Sequence, residues 1–207
     1  MRIRDNIAKI KKEIKSTGRE VRLIAVTKKA AAEQIREAID SGITAIGENR
    51  VQDAIKKFKN IPAVEKHFIG HLQTNKAKLA VQFFDVIQSV DTLKLAKEID
   101  KRARDLGKVM QVMIQVNVGD EKKYGVAAED AEEFYNKLLK LVHIKVVGLM
   151  TIAPYVDVDE TRPYFRKLAE LNNKLSLPHL SMGMSDDYMV AIEEGATMIR
   201  VGTAIFS

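Results

Sequence analysis

The chain has 207 residues, of which 46% are hydrophobic and 30% are charged, a composition typical of one or two soluble globular domains. It has no cysteine, which excludes disulfides, thiol catalysis and thiolate metal sites, and its four scattered histidines argue against a metal centre. Lysine and arginine (34) exceed aspartate and glutamate (28), but the basic residues are interleaved with acids and not with aromatics, so we expect solvated helix faces rather than a nucleic-acid surface.

The chain also lacks the features of membrane and exported proteins. No apolar run is long enough to span a bilayer, and the segment Met1–Asp5 lacks the apolar core of a signal peptide. We therefore expect a cytoplasmic protein that binds neither membranes nor nucleic acid, and we expect it to be a monomer.

The first two predicted elements are an amphipathic helix and a buried strand. Isoleucines recur at helical spacing over residues 3–17, opposite a face rich in lysine, and Gly18 ends the pattern. The apolar run Val21–Lys28 follows, and its β-branched residues predict a buried parallel strand that ends in a lysine. A second helix comes next and is closed by Gly42.

The same strand and helix unit then repeats along the chain. Seven further apolar segments predict strands at Thr44–Ile46, His67–Ile69, Phe84–Gln88, Val109–Val116, Ile144–Leu149, His179–Ser181 and Met198–Val201. Alternation of this kind requires parallel strands joined by helical crossovers. Eight such units without a linker predict an α/β fold in which residues 1–207 form a single (β/α)8 TIM-barrel domain.

The length of the chain bears on this prediction. A barrel of this type usually has about 250 residues, and here only Thr203–Ser207 follow the last predicted strand. We therefore expect the N-terminal helix to occupy the place of a missing last helix. A doubly wound open sheet is the alternative fold, but no GxGxxG motif follows the first strand.

Lys28 is the first candidate functional residue, because it ends a strand at the edge where barrels carry their chemistry. A lone lysine at such a position is usually a solvated charge, so neighbouring residues must decide between the two interpretations. Strand alternation puts Lys28 in phase with Ile24 and Val26 and puts Lys29 out of phase with them, but parity alone does not say which set faces inward.

Barrel closure would bring polar residues from three other strands beside this lysine. Asn49 follows the second strand, and Arg200 belongs to the last. The loops after strands seven and eight of such barrels commonly form a phosphate site, to which Ser181, Gly202 and Thr203 would bring hydroxyls and a close backbone approach. Each residue also has an ordinary explanation as a turn or cap. Together, a phosphate cradle beside a reactive amine is the arrangement that pyridoxal 5′-phosphate (PLP) requires.

Ordered motifs extend along nearly the whole chain and carry a family resemblance. They are Ala25-Val26-Thr27-Lys28, Gly47-Glu48-Asn49, His67-Phe68-Ile69-Gly70, Ser89-Val90-Asp91, Gly148-Leu149-Met150, Ser181-Met182-Gly183-Met184-Ser185 and Arg200-Val201-Gly202-Thr203. In this order they resemble the pyridoxal-phosphate homeostasis proteins, an alanine-racemase-like family of single-domain barrels. The resemblance implies a fold-type III PLP barrel that lacks the second domain of alanine racemases.

The resemblance also implies a role for each residue at the strand ends. Lys28 would carry PLP as a Schiff base, Arg200 would face the pyridine nitrogen and Asn49 would line the ring. The phosphate would be held by Ser181, Gly202 and Thr203. No catalytic residue and no metal ligand is expected.

The chain departs from the family pattern mainly at the rim of the barrel. Arg50 stands where an aromatic residue usually follows Glu-Asn, Lys66 stands where a tryptophan is frequent, and His71 precedes Leu-Gln. Lys123 and Gly125 align with a lysine and a glycine of the family after a segment one residue shorter. These departures weaken the assignment of a specific partner or an auxiliary lysine, and they leave the cofactor floor intact.

The resemblance implies a protein that stores PLP or delivers it to apo-enzymes, without robust turnover of its own. The alternative is a PLP-dependent amino-acid racemase. An arginine partner leaves the pyridine nitrogen unprotonated and the ring a weaker electron sink, which is still compatible with racemisation. Racemisation also needs a second base, on the opposite face of the Schiff base between PLP and the amino acid. The resembling racemases take this base from an additional domain and a partner subunit. In this chain the conceivable sources are Tyr124, Tyr155 and Lys123.

A third hypothesis is a barrel that binds a sugar phosphate or a nucleotide through the same anion site. Lys28 would then serve only as a charge. The two kinds of ligand differ in colour, because a Schiff base of PLP absorbs visible light and a phosphate ester does not.

Overall fold

A computed structural model describes residues 2–59, 61–119 and 124–207. Its strands, in chain order, are β1 (Arg22–Val26), β2 (Ala45–Glu48), β3 (Glu65–Phe68), β4 (Val86–Val90), β5 (Met110–Asn117), β6 (Val126–Ala127), β7 (Ile144–Met150), β8 (His179–Ser181) and β9 (Met198–Val201). Its α-helices are α1 (Ile3–Ser16), α2 (Ala32–Asp40), α3 (Val51–Phe58), α4 (Ala77–Phe83), α5 (Leu93–Asp105), α6 (Ala131–Leu138), α7 (Arg162–Lys174), α8 (Tyr188–Glu193) and α9 (Thr203–Phe206). Short 3-10 turns cover Thr74–Lys76, Ala128–Asp130 and Val158–Thr161.

Eight of the strands close into a parallel barrel. Their order is β4-β3-β2-β1-β9-β8-β7-β5, and β4 pairs in turn with β5. The two-residue strand β6 adds to β5 beside the barrel and was not predicted. The first and last barrel strands are neighbours, with Ile24 opposite Arg200 on one side and opposite Ala45 on the other. The predicted (β/α)8 barrel is therefore confirmed.

Strand alternation separates two apolar layers. Side chains including Ile24, Met113 and Met198 pack together inside the barrel. The alternate residues of β1, Leu23 and Ala25, belong to the larger layer between the strands and the helices. Because Ile24 faces inward, Lys28 continues the inward phase of β1.

Helix α1 packs against α2 and α9, the helices that follow β1 and β9. The buried side chain of Asn6 donates a hydrogen bond from Nδ2 to the carbonyl oxygen of Ile205 at 3.0 Å, which ties α1 to the four-residue helix α9. A short last helix, α9, is therefore present, and α1 packs beside it and does not replace it. None of the helices in the described part of the chain is long and apolar enough to cross a bilayer.

Candidate functional site

A pocket of about 340 Å³ lies at the C-terminal ends of β1, β2 and β9. Its walls include five of the six residues predicted from the sequence, which are Lys28, Asn49, Arg200, Gly202 and Thr203. The sixth, Ser181, is fully buried beneath them. Barrel closure thus joins residues that are as far apart in sequence as Lys28 and Thr203.

Lys28 lies two residues beyond β1, and its side chain is exposed at the pocket. Val26, in the same phase, also lines the pocket. Lys29 borders the pocket as well, so proximity alone does not separate the two lysines. The inward phase of Ile24 favours Lys28.

Arg200 forms the buried floor of the pocket, with only 4% of its surface exposed. Its Nη1 donates to the Ser181 hydroxyl and its Nη2 donates to the carbonyl oxygen of Thr151, both at 2.7 Å. Burial lowers the pKa of the Arg200 guanidinium to about 10, and the charge of Asp187 opposes that shift. Since this pKa lies well above 7, Arg200 presents a fixed positive charge at neutral pH.

A chain of buried hydrogen bonds extends from Arg200 across the barrel interior. The Ser181 hydroxyl accepts from Arg200 and donates to Gln88 Oε1 at 2.7 Å. The Gln88 amide nitrogen lies 2.9 Å from Nδ1 of the buried His67. Because Gln88 Oε1 accepts from Ser181, its Nε2 is the donor to His67, whose Nδ1 must then be unprotonated.

This chain alters the expectation for Ser181, whose hydroxyl was predicted to hold a phosphate. The hydroxyl is committed to Arg200 and Gln88, and the residue is not part of the pocket wall. Ser185 borders the pocket instead, and its Oγ accepts a hydrogen bond from the backbone N–H of Ala204 at 3.2 Å. Ser185 follows β8, and it lies near residues 202–204 because β8 pairs with β9.

Gly202 allows the chain to pass close to β1. A Cβ added at this residue would lie 3.2 Å from both Cβ and the carbonyl oxygen of Val26, which is tighter than an ordinary contact. Gly202 precedes α9, and the first N–H groups of any helix have no partner within that helix. The backbone at Gly202 and Thr203 therefore borders both β1 and the pocket.

Asn49 carries the clearest indication of a ligand. Its Oδ1 is buried and has no hydrogen-bond partner among the described residues. A buried acceptor left without a partner costs roughly 1–3 kcal/mol, so a ligand that donates to this amide would be favoured. Gly70 packs directly against the Asn49 backbone, since a Cβ at residue 70 would collide with it.

The site therefore fits the chemical parts of PLP. An amine, a buried cation, an unpaired amide oxygen and a glycine with adjacent hydroxyls share one pocket, and these groups suit an aldehyde, a pyridine nitrogen, a ring hydroxyl and a phosphate respectively.

Two of the three conceivable second bases, Tyr124 and Tyr155, do not line this pocket. The side chain of Tyr155 is fully exposed to solvent. Tyr124 stacks on His71 at the rim, with ring centroids 3.7 Å apart and planes 12° apart. Neither tyrosine lines the pocket. Lys123 lies outside the described residues.

The family model of the alanine racemase N-terminal domain matches residues 1–207. A pyridoxal phosphate homeostasis protein of Aquifex aeolicus is 47% identical over 89% of this chain and 86% of the relative. The protein of the same name from Escherichia coli K12 is 36% identical over 99% of this chain and 92% of its own.

Solved structures of related proteins have the same fold as this chain. PipY of Synechococcus elongatus, solved with PLP bound, is 37% identical and superimposes with a TM-score of 0.91 over 100% of both chains. An alanine racemase of Clostridium difficile is 17% identical with a TM-score of 0.80, and the match covers 55% of that chain, which shows a shared fold alone. This chain therefore belongs to the pyridoxal phosphate homeostasis protein family, whose barrel is the alanine racemase N-terminal domain.

Proposed function

We propose that this protein binds PLP in the pocket at β1, β2 and β9 and serves intracellular PLP homeostasis as a store or carrier of the cofactor. The observation that carries the proposal is the joining of Lys28, the buried Arg200 and Gly202 in one pocket. The PLP-bound structure of PipY, which matches this chain from end to end, supports the same ligand.

Lys28 Nζ is the proposed point of attachment. Its amine nitrogen would add to the aldehyde carbon of PLP, and loss of water would leave a Schiff base. Bound PLP supplies an aldehyde and an electron-withdrawing ring. Because Lys28 is exposed at the mouth of the barrel, the cofactor can reach it and leave it again.

Arg200 and Asn49 would set the orientation and the chemistry of the ring. Arg200 would donate a hydrogen bond to the pyridine nitrogen, and a guanidinium has no acceptor atom for a proton from it. The fixed charge of Arg200 would therefore disfavour protonation of that nitrogen. An unprotonated ring stabilises a carbanion poorly, which suits a protein that holds PLP more than one that transforms amino acids with it.

The phosphate would be bound by Gly202, Thr203 and Ser185. Ser181 would act one step behind the pocket, where its hydroxyl fixes the guanidinium of Arg200. This assignment moves the predicted phosphate contact from Ser181 to Ser185 and is testable with two alanine variants.

The two serine variants should differ in which property they lose. Ser181→Ala should lower the free energy of unfolding by about 1–3 kcal/mol, because it removes the buried partner of Gln88 Oε1 and of Arg200 Nη1. Ser185→Ala should leave unfolding nearly unchanged and should weaken PLP binding roughly tenfold, the value of one charge-assisted hydrogen bond. Urea denaturation and PLP titration measure the two effects; the reverse pattern would return the phosphate contact to Ser181.

The alternative function is amino-acid racemisation, and we expect none at an enzymatic rate. Lys28 could serve as a base only on the face to which it was attached, and neither Tyr124 nor Tyr155 lines the pocket to serve the other. The holo-protein should be incubated with single enantiomers of alanine and serine while chirality is followed over time. Multiple turnovers that disappear in Lys28→Ala would show that the protein is a racemase and would contradict the carrier proposal.

We further propose that the protein acts as a cytoplasmic monomer, with one PLP-binding domain over residues 1–207, and that apo PLP-dependent enzymes receive its cofactor. Mixing the holo-protein with an apo-enzyme in the presence of a trap for free PLP tests delivery. Activation of the apo-enzyme despite the trap is the expected result, and activation only without the trap would reduce the role to storage.

A further inference from the structure

An ion pair lies directly behind the pocket, between the last residue of β2 and the helix that follows it. Glu48 has only 1% of its side chain exposed, and Oε2 lies 3.1 Å from Nζ of Lys57 on α3. Burying such a pair costs desolvation, so its presence is weak evidence for a stabilising role alone. The other hydrogen bonds of the two side chains indicate what the pair does.

Lys57 holds the backbone that carries the reactive lysine. Its Nζ donates to the carbonyl oxygens of Thr27 at 2.8 Å and of Lys28 at 3.0 Å, in addition to the Glu48 carboxylate. An ammonium group has three N–H donors, and these three acceptors use all of them. Two consecutive peptide groups beyond the end of β1 are thereby fixed to α3 by one side chain.

Glu48 also binds the segment Thr27–Lys28, and in addition it binds the residue that follows β2. Its Oε2 accepts from the hydroxyl of Thr27 at 3.1 Å, and its Oε1 accepts from the backbone N–H of Asn49 at 2.9 Å. The ion pair therefore fixes the backbone of Lys28 and of Asn49 relative to each other, although the two residues belong to different strand ends.

We propose that Glu48 and Lys57 are positioning residues for the attachment of PLP. They hold the segment from Thr27 to Lys28 so that the Lys28 amine meets the aldehyde while Asn49 contacts the ring. This inference rests on the proposed role of Lys28. Neither side chain lines the pocket, so both act through the backbone of Lys28 and Asn49.

The test compares two neighbouring lysines of α3. Lys57→Met removes the three donors, whereas Lys56→Met removes an exposed lysine one residue away and serves as the matched control. On mixing apo-protein with PLP, the visible absorbance of the Schiff base should rise about tenfold more slowly in Lys57→Met, because small misplacements of a reacting group cost factors of up to about 100 in rate. Lys56→Met should match the wild type.

A second variant and a second signal separate positioning from folding. Lys57→Arg keeps a cation beside the buried Glu48, but a planar guanidinium cannot place donors on the same three oxygens. It should fold, attach PLP more slowly than wild type and show an altered visible circular dichroism band, which reports the orientation of the bound ring. Thermal unfolding of both variants is measured alongside.

The outcomes are distinct. Wild-type attachment rates and dichroism in both Lys57→Met and Lys57→Arg, with or without a loss of thermal stability, would overturn the proposal and leave the pair as a tether of α3. Failure of the wild-type protein to form a borohydride-reducible adduct at Lys28 would instead overturn the proposed function on which the inference rests. If Lys57→Met does not fold, the result with Lys57→Arg decides.

Discussion

Replacing Lys28 with alanine should abolish covalent attachment of PLP, whereas Lys29→Ala should retain it. Lys28 continues the inward phase of β1, and Lys29 does not, although both border the pocket. Borohydride reduction followed by peptide mass mapping should place the reduced adduct on Lys28 in wild-type protein. The visible absorbance of the holo-protein should disappear in Lys28→Ala and persist in Lys29→Ala.

Non-covalent binding of PLP by Lys28→Ala serves as the control for this experiment. Lys28→Ala keeps Arg200, Asn49 and the residues proposed to bind the phosphate. The variant should therefore still bind PLP weakly and release it on gel filtration. An adduct mapped to Lys29 or Lys123 in protein with Lys28 intact would show that the reactive lysine has been misassigned.

Gly202→Val should weaken PLP binding by about 100-fold. A Cβ at this position already lies 3.2 Å from Val26, so valine would displace the residue 202–203 backbone from β1 and from the pocket. Losing two charge-assisted hydrogen bonds to the phosphate costs roughly 3 kcal/mol or more, and each 1.4 kcal/mol is a factor of ten. Equilibrium titration of the visible absorbance measures the change.

Pyridoxal without its phosphate supplies the control. If residues 202–203 act on the phosphate, the weak binding of pyridoxal should be almost equal in wild type, Gly202→Ala and Gly202→Val, whereas PLP binding should fall along this series. A parallel loss for both ligands would mean that the valine disturbs β1 and Lys28 instead. PLP binding to Gly202→Val with wild-type affinity would place the phosphate site elsewhere.

Under the proposed function, the chemistry of the pocket would favour retention of PLP over catalysis with it. In the proposed binding mode, the buried Arg200, fixed by Ser181 and by the Thr151 carbonyl, would face the pyridine nitrogen, where a carboxylate would be needed to keep that nitrogen protonated. The lysine is meanwhile exposed at the mouth of the barrel, where bound cofactor remains accessible. A protein that stores and releases PLP needs both properties.

The amino-acid sequence by itself determined the elements and their closure. Periodicity is a local property, so the isoleucines of α1 and the apolar run of β1 were recognisable without a structure. Eight repeats of one unit leave a barrel as the simplest way to pair every strand, and closure then predicts that Lys28, Asn49, Arg200 and Gly202 meet. Strand β6 escaped prediction because two residues carry no periodicity.

Only the tertiary structure decided what each polar side chain contacts. β2 extends to Glu48, two residues beyond the predicted strand. In the sequence a carboxylate is typical of a strand boundary, but in the structure the buried Glu48 carboxylate accepts hydrogen bonds from Lys57 and Thr27. Ser181 looked like a phosphate ligand, yet Gln88, 93 positions away in the sequence, occupies its hydroxyl. Hydrogen-bond partners of this kind come from distant segments brought together by folding, and no local pattern in the sequence encodes them.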